Sequence, residues 1–235
     1  AGIIGAKGNN GCGGSGVAPE VNLISIRVLD ARGYGETSDI IKGFNEAVSA
    51  GADVVNMSLG GSAYSEIFEK AVKTAYNSGV VVVCASGNYA TNGQYFPASY
   101  DHVISVAALD KGNGRAYFSN YGGNIRYSAP GESIYSTSVG SSYSYTLNSG
   151  TSQASPMIAA EAAILLASGK VTGSGSTRVK NLIKLMDAGS VKLSGTGLGK
   201  GYVSLPKALG ISASASKPAK PAFSVKAGTY GKASL

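Results

Sequence analysis

DVVNMSLGGSAYSEIFEKAVKTAYNSGVVVVCASGN, residues 53–88, is the stretch from which the fold can be read. It opens on the apolar run Asp53 to Leu59 and turns at Gly60-Gly61. Ser65 to Asn77 then places Ile67, Phe68, Ala71, Val72 and Ala75 on one side of a helix. Gly79 ends that helix and leads straight into Val80-Val81-Val82-Val83. A strand without polar alternation must be covered on both faces, and a single helix between two such strands is a crossover. Working outward, Asn22 to Leu29 reads as a further strand. A helical pattern follows from Ser38 through Ile40, Ile41, Phe44, Ala47 and Val48, closed by Gly51, and His102 to Ala108 reads as another strand. The fold class is α/β, a mainly parallel sheet with right-handed crossovers. In such sheets the working residues lie just past the carboxyl ends of the strands, which singles out Ser58 to Gly61 and Ala85 to Asn88.

Composition narrows the function classes. With 43% hydrophobic and 14% charged residues, the 235-residue chain suits a well-buried globular domain, not a disordered or coiled-coil one. Its net charge of +7 is spread over helices and a polar tail (Lys217, Lys220, Lys226, Lys232), without the basic stripe and interleaved aromatics that nucleic acid requires. Cys12 and Cys84 are too few for a disulfide scaffold and lack metal-site spacing; Cys84 reads as a small buried hydrophobe. No segment has the apolar length of a membrane span. After Ile211 the composition shifts. Residues 212–221 read as a small-residue, proline-containing linker, and 222–235 as the opening of a C-terminal β-sandwich module, leaving 1–211 as the main domain.

The chemistry centres on Gly150-Thr151-Ser152-Gln153-Ala154-Ser155-Pro156, which precedes an apolar helical run from Met157 to Ala167. A serine in the first turn of a helix has unpaired backbone N–H groups and the positive end of the helix dipole beside it. For a lone serine the simpler reading is an N-cap at Thr151 or Ser152. The whole heptapeptide, however, resembles the nucleophile motif of the subtilisin-like serine proteases, Gly-Thr-Ser-x-Ala-Ser/Thr-Pro, with Ser152 at the nucleophile. Ala85-Ser86-Gly87-Asn88 is similar to the family segment whose Asn donates to the oxyanion; taken alone, Asn88 would read as a turn residue. Ser58-Leu59-Gly60-Gly61 resembles the segment that pairs with substrate backbone. The likeness also makes Ala85, Ser86 and Gly87 a wall of a roomy, apolar primary pocket. Gly16-Val17-Ala18-Pro19, Ser119-Asn120-Tyr121-Gly122, Ser128-Ala129-Pro130-Gly131 and Gly199-Lys200-Gly201-Tyr202-Val203 follow in the family's order. The resemblance implies a three-layer subtilisin-like fold and an extracellular serine endopeptidase acting on polypeptides.

The family triad runs Asp, His, Ser, with the Asp in Asp-Ser/Thr-Gly and the His in His-Gly-Thr-His-Val. Neither motif occurs here, and Ala1-Gly2-Ile3-Ile4-Gly5 resembles the residues directly after the family's His motif. The expectation is a catalytic domain incomplete at its N-terminus, inactive alone, whose missing segment carries Asp and His. His102 lacks the motif's context and is not expected to replace the base. Gly11 to Gly16 fits the dinucleotide spacing G-x-G-x-x-G but leads into Val17-Ala18-Pro19 and a strand, which fails that motif's context. In the family this loop binds calcium, which makes Asn10 a candidate ligand and calcium a candidate structural ion; no other cofactor is expected. Two further readings stay open: a peptide-binding protein without catalysis, and one half of a split protease. The absent segment also leads us to expect exposed apolar sheet surface and an aggregation-prone or molten isolated chain.

Overall fold

A computed structural model describes residues 1–140 and 144–212; the expected linker beyond residue 212 and the module at 222–235 lie outside them. Four strands form a parallel sheet in the order β1 (Val54–Met57), β2 (Val81–Ala85), β3 (Val103–Leu109), β4 (Tyr127–Pro130). The register sets Val54 beside Val81, Val82 beside Val103 and Val106 beside Tyr127. The sheet follows from the valine-rich runs. Val81 and Val83 of β2 point into one core with Ile104, Val106 and Tyr127, while Val82 and Cys84 point into the other with Val55 and Met57.

Each core has its own helices. Helices α2 (Thr37–Ser49) and α3 (Glu66–Asn77) cover the face that holds Val82, through Phe44, Phe68, Val72 and Ala75. Helices α4 (Thr151–Ala167), α5 (Gly175–Gly189) and α6 (Leu205–Leu209) cover the other through Ile158, Leu165, Leu182, Met186 and Ala208. The result is the expected three-layer α/β architecture. Ser65 caps α3, its side chain accepting from Phe68 N at 3.3 Å, which satisfies one of the orphan donors of the first turn. The short helix α1 (Gly2–Gly5) and the two-stranded pairs β5 (Ile134–Thr137) with β6 (Tyr145–Asn148) and β7 (Ser190–Val191) with β8 (Tyr202–Val203) complete the described elements.

One expectation is corrected. Residues 22–29 run without regular secondary structure, and no backbone ladder joins them to the sheet. A strand exists only where a neighbour accepts its hydrogen bonds, and β1 is the last strand of the sheet on that side. Leu23 and Ile24 are consequently 48% and 52% exposed, whereas the Ile26 and Val28 side chains lie close to Gly43 of α2.

Candidate active site

At the carboxyl ends of β1 and β2 the chain turns away from the sheet, and α4 brings its first turn to the same edge. The N-cap of α4 is Gly150, not Thr151 or Ser152, so Ser152 is the second helical residue and its N–H has no carbonyl four residues back to bond. Pro156, inside the helix, cannot donate to the Ser152 carbonyl, the acceptor four residues before it. Ser58 Oγ donates to that freed carbonyl at 2.9 Å, and lies 3.0 Å from Ser155 Oγ and 3.0 Å from the Asn56 Nδ2 that donates to it. In return, Ser152 Oγ donates to the Ser58 carbonyl at 3.1 Å. Ser58 and Ser152, 94 residues apart in sequence, are thus bolted together in both directions.

Asn88 is oriented by a similar constraint. Its Oδ1 accepts from Thr151 N at 2.8 Å and from Thr151 Oγ1 at 2.9 Å. Only the carbonyl end of an amide can accept an N–H, so the Nδ2 end is left as a donor on the side facing Gly150, where a Cβ would stand 3.3 Å from it. The loop carrying Asn88 is held by Asn120, whose Nδ2 donates to Ser86 O at 2.8 Å and whose Oδ1 accepts from Tyr89 N at 2.8 Å and Thr91 N at 3.4 Å. Gly87 has φ +103°, and a Cβ there would collide with Asn120 Nδ2, so glycine is required on two counts.

These residues line a cleft of about 280 Å³. Ser152, Asn88, Ser58, Leu59, Gly60, Ala85 and Gly87 all border it. Ser86 does not: it is 1% exposed, and its carbonyl is taken by Asn120. Sequence reasoning missed Leu29 and Gly33 to Gly35, which also line the cleft, as well as Thr151, Asn120 and Tyr95. Asn120 stood inside a quoted family landmark, but nothing local announced that its amide staples the loop 86–91. Burial raises the Tyr95 phenol above its usual range, keeping it a neutral donor to Gly60 O at 2.7 Å. The same cause raises the Cys84 thiol, which is fully buried and chemically quiet.

His102 lies at the other end of the sheet. It directly precedes β3, stacks on Tyr76 with ring centroids 4.1 Å apart, and borders a separate depression of about 730 Å³ that shares no residue with the Ser152 cleft. A seven-residue strand spans roughly 20 Å, far beyond proton-transfer reach. Asn10 is exposed and its Oδ1 accepts from Cys12 N at 3.2 Å. Among the described residues no three His, Cys, Asp or Glu side chains cluster. Among the described residues, no helix is long and apolar enough to cross a membrane.

Comparison with known proteins adds an independent line. The model of the subtilase family matches residues 1–192. The chain is 44% identical over 170 residues to a thermophilic serine proteinase of Bacillus sp. (strain AK1), covering 72% of this chain and 42% of that protein. It is 45% identical over 170 residues to subtilisin DY of Bacillus licheniformis, covering 71% of this chain and 61% of that one. Among solved structures, a protease from Pseudoalteromonas arctica PAMC 21717 superimposes with a TM-score of 0.81 at 34% identity, over 89% of this chain and 68% of the other. The chain therefore spans less than two thirds of those two curated relatives.

Proposed function

This chain belongs to the subtilase family, and from that premise we propose that it supplies the nucleophile, the oxyanion donors and much of the substrate cleft of an extracellular serine endopeptidase. The carbonyl carbon of a peptide bond is attacked by Ser152 Oγ, whose proton passes to a base. The developing oxyanion accepts from Asn88 Nδ2, whose Oδ1 is taken by Thr151, and from Ser152 N–H in the first turn of α4, two donors that stabilise chiefly the transition state. Collapse expels the amine with the proton returned to it and leaves an ester on Ser152, which water hydrolyses by the same route in reverse. Substrate backbone lies between the rim at Gly33 to Gly35 and the rim at Ser58 to Gly60.

The observation that carries this reading is the locked amide of Asn88. Thr151 consumes its oxygen, and so its nitrogen is the end presented beside the nucleophile. No described residue provides a base at Ser152, whose hydroxyl instead donates to a backbone carbonyl. We therefore place the His and its Asp partner on a polypeptide segment outside this chain, expect the chain alone to be inactive, and expect the pair together to cleave. The unpaired edge of β1 and the ladder-free backbone of 22–29 offer main-chain groups to such a segment.

The test is labelling by a fluorophosphonate, which reacts only with an activated serine. The chain alone should not label. The chain joined to, or mixed with, a subtilase segment bearing Asp and His should label at Ser152 and hydrolyse casein, and Ser152→Ala should abolish both. Failure of the completed protein to label would favour the peptide-binding reading.

A further inference from the structure

Tyr95 stands in the space that two glycines leave open beside the nucleophile. A Cβ on Gly60 would collide with Tyr95 Cε1, and one on Gly87 would stand 3.1 Å from Tyr95 Cδ1. One edge of a single ring therefore lies against both Gly60 and Gly87, within the cleft that Ser152 and Asn88 also border. From sequence, Ala85-Ser86-Gly87 reads as the wall of a roomy pocket; in the folded chain an aromatic ring takes up that room.

The ring is also held. Its hydroxyl donates to Gly60 O at 2.7 Å, its backbone N–H donates to Ser99 Oγ at 3.0 Å, and the Tyr89 ring lies 5.8 Å away, centroid to centroid. Swinging it aside would strip the Gly60 carbonyl of this partner and break the aromatic contact.

We propose that Tyr95 sets the specificity of the cleft, restricting the residue whose carbonyl is attacked to small side chains such as glycine, alanine or serine. This rests on Ser152 being the nucleophile. A single methylene that a pocket cannot house changes kcat/KM by about 10–200-fold, and a phenyl group competing with a pinned ring should cost at least as much.

The experiment uses the protein completed with its Asp and His segment and peptide anilides that differ only in the residue before the cleaved bond. Alanine should exceed phenylalanine at least tenfold in kcat/KM. Tyr95→Gly should raise the ratio of cleavage after phenylalanine to cleavage after alanine at least tenfold. Tyr95→Phe, which keeps the ring and loses the hydroxyl, should retain the wild-type preference. Wild-type cleavage after phenylalanine as efficient as after alanine overturns the proposal, and so does a Tyr95→Phe variant that behaves like Tyr95→Gly. The wild-type profile decides even if Tyr95→Gly does not fold. Fluorophosphonate labelling of Ser152 together with an aromatic preference removes this inference alone; absence of both labelling and cleavage removes the nucleophile reading with it.

Discussion

Replacing Ser58 by alanine should destabilise the helix that carries Ser152, through a carbonyl that Pro156 has already deprived of its helical donor. In an ordinary helix the Ser152 carbonyl would accept from the N–H of residue 156; here it accepts from Ser58 Oγ at 2.9 Å. Ser58→Ala removes that bond and also the contacts at 3.0 Å to Ser155 Oγ and Asn56 Nδ2. Leaving one partly buried acceptor bare costs about 1–3 kcal/mol, and in a domain of this size each kcal/mol lowers Tm by roughly 2–4 °C. The mechanism is separable from general damage by a double-mutant cycle. Pro156→Ala restores an N–H four residues after Ser152, so it should recover about 1 kcal/mol more in the Ser58→Ala background than in the wild type. The assay is thermal or denaturant unfolding of the completed domain carrying Ser152→Ala, which prevents autolysis and leaves the carbonyl in place. Additivity of the two substitutions within about 0.3–0.5 kcal/mol would refute the coupling between Pro156 and Ser58.

Asn88→Asp keeps an acceptor for both Thr151 bonds and removes the Nδ2 donor. We expect kcat to fall about 10²–10³-fold, the loss known for one such donor in a subtilisin, with Tm little changed; a variant that keeps wild-type kcat would dismiss Asn88 from the oxyanion site. Asn120→Ala cuts three bonds to the loop 86–91 and should cost about 2–4 kcal/mol while lowering kcat more than it raises KM, because Asn88 rides on that loop; steady-state kinetics with equal losses in both would argue for a merely structural role. Glu161 gives a pH signature. Burial pushes its carboxyl up to about 8 from an ordinary 4.5, and its Oε2 has no hydrogen-bond partner. The folded chain keeps a proton that the unfolded chain releases, so stability should fall as pH rises from about 4.5 through 8 and then level off. Glu161→Gln should flatten that fall, and Tm profiles of the two proteins with the same slope would contradict the assignment.

The class of fold and the family are both written in the order of residues. Runs such as Val80 to Val83 are too apolar to face water on either side, and Ser65 to Asn77 has a helical apolar stripe, so a covered parallel sheet is legible in the chain alone. The family is legible because Ser152, Asn88 and the Ser58 to Gly60 segment sit in motifs whose residue types and order are specific. How those residues constrain one another is settled by folding. That Ser58 replaces the hydrogen bond Pro156 cannot make, that Thr151 turns the Asn88 amide, and that Asn120 staples the loop are facts about groups 31 to 94 residues apart. The 22–29 segment shows the same limit from the other side: its pattern is that of a strand, but whether a strand forms depends on a neighbour to accept its hydrogen bonds. Tyr95 shows it at the cleft, where small residues in the sequence read as open space that a ring from elsewhere in the chain fills, because local composition records which side chains are short and not which others fold into the room they leave.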